Sequence, residues 1–429
     1  MAELRGVLGL AFVVLVAVAL SRHRRGISWR TVGTALALQV GFAVLVLQWG
    51  PGEAALRWAS ARVESLIGYT EDGTSFLFGP LAEVGGEGST IFALKVLPVI
   101  VFLGALIGLL FYLRVIQWFT YVVGGAISRL LGISRIESTF AATVIFLGQS
   151  EAPLMIAPWL KSLRKGQVFT VMVGGFTAAA GSTLVGYSLL GAPLEYLLAA
   201  TVMNAPASLL MAKIMWPDST PPDPEDPGAE NTAGSDPTGA AADPAAEVDV
   251  RRVRDEESRN LIDAVGRGAL AGGRIAVTVG ALLIAFIALI SLANGVLGGI
   301  GGWFGAGDLT FQQLLGWLLA PLAWLLGVPW SEAAQAGSWI GQKTVLNEFV
   351  AYADFGPAVD GLSPVTVAVV TFALAGFANL GSIAIMIGTI GSLAPERRSW
   401  VAELGLRALL AGSLANLANA AIAGVVVGL

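Results

Sequence analysis

Two short polar motifs, Gly148-Gln149-Ser150-Glu151 and Asn347-Glu348, sit inside long apolar sequence. The first lies between apolar stretches at 139–147 and 152–159. The second also separates short half-segments. A bilayer core of roughly 30 Å needs about 20 helical residues to cross it, so no half-segment spans. The chain must enter, break at a polar tip and return. This predicts two re-entrant helical hairpins, at 136–160 and about 331–360. Broken backbone at membrane depth is tolerated only where protein buries it or where it lines a watery cavity. The freed N–H and C=O ends then serve polar solutes and ions. An ionisable residue at such a tip marks function.

The rest of the chain fits a membrane body. Of its 429 residues, 55% are hydrophobic and 13% charged, where soluble domains carry about 25% charged residues. There is no cysteine and one histidine, His23, inside the basic turn Arg22 to Arg25. Thiolate chemistry is excluded, and a Ser-His-Asp triad or multi-histidine metal site would have to be built around this one loop histidine; the enzyme reading left is a Glu151–Glu348 carboxylate pair, which lacks a metal motif and a cofactor signature. No cofactor signature is present. The basic residues form no aromatic-interleaved patch for nucleic acid.

Eight apolar runs read as transmembrane helices: 7–20, 32–49, 96–112, 168–190, 196–215, 275–296, 365–387 and 406–427. Clustered basic residues follow the first run, precede the fourth and separate the last two. All fall on one side, which the positive-inside bias makes cytoplasmic. The N-terminus is then outside, and the protein is a multi-pass protein of the cell membrane. Residues 1–90 read as N-terminal scaffold helices plus an amphipathic interfacial helix (Ala55, Leu56, Trp58, Val63, Leu66) in an acidic outer segment. Residues 91–216 form a first half carrying the first hairpin, and 259–429 a second half carrying the other.

Between the halves, residues 217–258 read as a disordered, acidic, cytoplasmic linker. From 217 to 250 there are nine acids, seven prolines and no Lys or Arg. Removing those nine of the 30 acids leaves 21 against 25 bases, so the formal −5 becomes +4 for the membrane body. Residues 251–259 are expected to start a surface helix, 298–307 to form a glycine-rich turn, and 314–326 to lie along the interface.

Each hairpin precedes a second break: Gly181-Ser182-Thr183 lies about 31 residues after Glu151, and Phe377-Ala378-Asn379 to Ser382 up to 34 after Glu348. Hairpin then interrupted span, twice and in opposite orientation, is an inverted repeat with a solute site at its interface. The fold class is therefore all-α integral membrane, with about eight spans and two re-entrant hairpins. The available chemistry is hydrogen bonding: amides Gln149, Asn347 and Asn379; hydroxyls Ser150, Ser182, Thr183 and Ser382; carboxylates Glu151 and Glu348. Phe377 and Tyr352 are the rings expected to stack. This set suits a neutral, hydroxyl-rich ligand with a planar part. With no Arg or Lys cluster for phosphate, a sugar–base ligand fits better than a nucleotide.

At Gly148 to Pro153, at Lys343 with Val345 to Tyr352, and at Gly376 to Ile385, the chain closely resembles the concentrative nucleoside transporter family. Weaker matches cover Val202 to Ala207 and Leu261 to Ala264 with Arg267-Gly268. The resemblance implies a secondary active, cation-coupled nucleoside importer. It implies a homotrimer in which a mobile domain holding both hairpins moves elevator-fashion against a scaffold. Base-contacting positions map to Gln149, Ser150, Glu151 and Thr183. Ribose-contacting positions map to Glu348, Asn379 and Ser382, with Phe377 beside the sugar. Two family sodium-site positions depart: Asn and Ser are replaced by Val144 and Ala178. The reading is therefore proton coupling through Glu151 or Glu348, with sodium coupling as the alternative. A non-transporting, gate-like scaffold is the remaining rival.

Overall fold

The computed structural model describes residues 2–83, 91–221, 226, 249–255 and 257–429. Most of the expected disordered linker at 217–258 lies outside them. The described residues contain no β-strand.

Three helices open the chain: α1 (Ala2–Ala19), α2 (Trp29–Leu47) and α3 (Gly50–Phe78). The Ser28 side chain caps α2 by accepting the Thr31 N–H. The expected interfacial helix is α3, and at 29 residues it runs well beyond the amphipathic stretch read from sequence. A short turn, α4 (Phe92–Lys95), leads into α5 (Leu97–Tyr112), followed by α6 (Val115–Leu131).

The first hairpin descends on α7 (Arg135–Thr143), turns irregularly through 144–151, and returns on α8 (Ala152–Met155). The next apolar run is split as expected into α9 (Lys165–Thr177) and α10 (Gly181–Leu189), and α11 (Leu194–Met215) closes the first half.

In the second half, α12 (Leu261–Gly302) has 42 residues, about 60 Å of helix. The expected surface helix at 251–259 is corrected. Only a 3-10 turn, Val250–Arg252, forms there, and the helix begins at Leu261 because the Asn260 side chain caps it by accepting the Asp263 N–H. The expected glycine turn at 298–307 is half helix for the same run. Next come α13 (Phe311–Leu325) and α14 (Trp330–Val345), bent against each other by 116°. The second hairpin is α14 with α15 (Glu348–Phe355). The next run is split into α16 (Pro364–Leu374) and α17 (Leu380–Leu393), and α18 (Arg398–Gly428) ends the chain.

Six helices or continuous helix pairs among the described residues are long and apolar enough to cross a bilayer. The other two expected runs are α1, apolar from Leu4 to Ala19, and the split pair α16–α17. Burial divides the molecule. The α9–α10 span is 94% buried and α11 83%, against 22% for α5 and for α12. A helix that is apolar all round and enclosed forms a core, whereas α5 and α12 keep apolar faces turned outward. These two also pack very closely on each other. A Cβ on Gly104 would lie 2.6 Å from the Gly268 carbonyl oxygen, and one on Gly272 2.6 Å from that of Ile100. Small residues permit this backbone approach in membranes.

Candidate solute site

The two hairpin tips and the two span breaks meet. Asn347 follows the end of α14 and caps α15, its Oδ1 accepting the Val350 N–H at 2.9 Å. That cap fixes Glu348 as the first helical residue. Asn379 caps α17 in the same way, accepting the Ser382 N–H at 3.0 Å. Its amide Nδ2 donates to Glu348 Oε2 at 3.0 Å, while the Tyr187 hydroxyl on α10 donates to Oε1 at 3.1 Å. Both carboxylate oxygens of a buried Glu348 are thus committed to donors.

The first tip is looser. The Glu151 N–H and the Ala152 N–H both turn back to the Gly148 carbonyl. Among the described residues, the Glu151 carboxylate accepts only the Gly148 N–H, at 3.4 Å. Gln149 reaches across to donate to the Ser382 hydroxyl at 2.9 Å. Among the described residues, its own carbonyl oxygen and the Ser182 hydroxyl are buried without a protein partner. Unpaired buried polar atoms cost free energy unless something completes them, so both are open valences of the site.

All eight candidate residues line one cavity of about 450 Å³: Gln149, Ser150, Glu151, Thr183, Glu348, Phe377, Asn379 and Ser382. Asn347 and Ser182 line it as well. The volume is in the range of small-molecule sites. The opposite wall is the apolar face of α12, with Val279, Leu282 and Phe286. Tyr352 is corrected: it does not line the cavity but is fully buried behind it, stacked on Tyr187 at 4.6 Å, with its hydroxyl donating to the Thr371 carbonyl. It supports Tyr187 and is not a ligand ring. Val144 and Ala178 are buried. The Ala178 carbonyl already accepts the Phe377 N–H at 2.9 Å.

A polar hub behind the site ties the breaks together. The Asn416 amide donates to the Thr177 carbonyl at 3.1 Å and to the Ala375 carbonyl at 3.3 Å. Lys343 donates to Asn416 Oδ1 at 2.7 Å and to the Ala373 carbonyl at 2.8 Å. Asn204 adds a bond to the Ala375 carbonyl at 2.8 Å. These side chains satisfy the helix ends that the breaks expose. A Cβ at Gly376 would fall 2.4 Å from Asn416 Oδ1, so only glycine fits beside the hub. Lys343 and Asn204 lie in motifs visible in the sequence. Tyr187 and Asn416 do not, because each reads as one more residue of an apolar helix.

The chain is similar in sequence and fold to known proteins. The model described as "Na+ dependent nucleoside transporter C-terminus" matches residues 196–424, its N-terminal counterpart residues 8–81, and a "Nucleoside recognition" model residues 93–194. The chain is 48% identical to the uncharacterized transporter YutK of Bacillus subtilis, covering 98% of each chain. It is 40% identical to the nucleoside permease NupC of Helicobacter pylori, covering 100% of this chain and 98% of that one. Its fold matches the solved structure of CNTnw in an inward-facing, substrate-bound state with TM-score 0.89 and 44% identity, over 100% of this chain and 98% of that one.

Proposed function

The chain belongs to the sodium-dependent nucleoside transporter family, a family of membrane transporters and not of enzymes, and from that premise we propose that it imports nucleosides across the cell membrane by cation-coupled alternating access. The observation that carries this reading is the cavity built jointly by both hairpin tips and both span breaks. Such a site changes its exposure when the two repeats move against their scaffold.

In this reading Glu348, Asn379 and Ser382 hold the ribose hydroxyls. A carboxylate braced by Tyr187 and Asn379 is a fixed acceptor for a diol. Gln149, Ser150, Glu151 and Thr183 face the base, and Phe377 packs beside the sugar. The domain carrying the hairpins moves elevator-fashion, α5 and α12 stay with the scaffold, and three copies assemble through scaffold surfaces. The N-terminus lies outside and the acidic linker in the cytoplasm.

Protons drive uptake in preference to sodium. A hard cation needs several oxygen ligands. Val144 and Ala178 supply none from their side chains, and the Ala178 carbonyl is engaged. Glu151 is the better proton carrier of the two carboxylates, since Glu348 has both oxygens occupied.

The test is uptake of uridine and adenosine into proteoliposomes under an inward proton gradient, an inward sodium gradient, or neither. Accumulation with protons alone is the expected result. Accumulation with sodium alone would keep the transport reading and overturn the coupling. Folded, reconstituted protein that neither binds nor accumulates a labelled nucleoside would favour the gate-like scaffold.

A further inference from the structure

The solute cavity adjoins a larger one of about 1010 Å³, bounded by α5, the start of α12, α8, and residues 249–255, 257 and 258. Two residues line both cavities, and they are oppositely charged: Glu151 on the first hairpin and Arg274 on α12. A carboxylate and a guanidinium thus stand in the walls of both spaces.

Arg274 is unusual in three ways. Among the described residues its guanidinium has no hydrogen bond and no ion pair. Among the described residues it is also the one side chain of α12 that offers free donors to the solute cavity. The one hydroxyl there, on Thr278, already donates to the Arg274 carbonyl at 2.8 Å, and the remaining α12 wall is apolar. Finally, the helix that carries it is fixed, with backbone locked against α5 by the glycine contacts at Gly104, Gly268 and Gly272. Arg274 is exposed, so its five donors are held by water, which the acceptors of a bound ligand can replace.

We infer that Arg274 is a specificity-determining residue that selects nucleosides by the oxo or amino group on their base. This rests on the nucleoside-transport reading above. A base held against Gln149, Ser150 and Glu151 presents its far edge to α12. A 6-oxopurine offers the guanidinium two adjacent acceptors, O6 and N7, which match its fork, and offers Glu151 the neighbouring N1–H. A 6-aminopurine turns an N–H donor toward the same guanidinium, donor against donor. Uracil against cytosine repeats the contrast with one acceptor, at lower strength.

The experiment compares half-saturation for inosine and adenosine uptake in proteoliposomes, with 7-deazainosine as competitor. The wild type should prefer inosine by about tenfold or more, the discrimination of one bidentate pair. Arg274→Gln, whose amide both donates and accepts, should bring the two within about twofold, and Arg274→Lys should retain part of the preference. In the wild type 7-deazainosine, lacking the N7 acceptor, should compete several-fold less well than inosine. That ligand comparison needs no variant, so a misfolded Arg274→Gln leaves it intact. Equal half-saturation for inosine and adenosine in the wild type, or an unchanged preference in Arg274→Gln, would overturn the inference while transport stands. Failure to take up any nucleoside would overturn the transport reading itself.

Discussion

At the second hairpin tip, Glu348 sits on a capped helix with a donor against each oxygen, 3.1 Å from the Tyr187 hydroxyl and 3.0 Å from the Asn379 amide. At the first tip, Glu151 precedes a helix of four residues with Pro153 at its start, and its carboxylate holds one backbone N–H at 3.4 Å. The same residue type, in repeats of the same design, is pre-organised in one and left free in the other. The cause is local. Asn347 resumes the helix within two residues of the α14 end, whereas residues 144–151 have no capping side chain and pass through a series of turns. A pre-organised tip suits a constant part of a solute, and a loose one suits a variable part or a proton.

The sharpest test of that contrast is Glu348→Gln. The new amide sets an NH₂ group against the Asn379 donor and removes the charge, so two charge-assisted bonds are weakened together. Nucleoside binding should fall about 100-fold, since such bonds contribute roughly 1.5–3 kcal/mol each. Half-saturation within threefold of wild type would remove Glu348 from the site.

Asn416→Leu should cost about 2–4 kcal/mol of stability, because it orphans the Thr177 carbonyl and takes one acceptor from the buried Lys343 ammonium. Thermal unfolding in detergent measures it. A melting temperature equal to wild type would mean that the breaks hold without the hub.

Tyr187→Phe removes one neutral donor from Glu348 and leaves the ring stack with Tyr352 intact. Half-saturation should rise roughly three- to tenfold, with about 1–3 kcal/mol of stability lost to the unpaired Glu348 oxygen. Glu151→Gln should have the smallest effect on equilibrium binding, about threefold or less, because that carboxylate anchors little. It should nevertheless abolish proton-driven accumulation while exchange persists. If it weakened binding as much as Glu348→Gln, the two tips would be equivalent and the contrast between them broken.

Much of this was legible in the chain. The apolar run lengths located the spans, because a bilayer sets the length of an element directly. The polar motifs around Gln149 to Glu151 and Asn347-Glu348 located the tips, because polar groups in apolar surroundings need a reason. The start of α12 was misplaced since charge at 251–259 signals exposure but not helix; the decisive signal was the Asn260 cap. Tyr352 was misjudged because an aromatic residue near a motif is equally suited to the cavity or to the layer behind it.

The sequence by itself determined an all-α membrane body and the types of group that line its cavity. Those properties follow from local composition and length, which every residue window carries. Only the tertiary structure decided which groups pair. Tyr187 meets Glu348 across 161 positions, Gln149 meets Ser382 across 233, and Asn416 meets Thr177 across 239. No periodicity encodes such distances. They are set by how the two halves pack, and that packing also brings Arg274 of α12 into the wall of the cavity that the hairpin tips line.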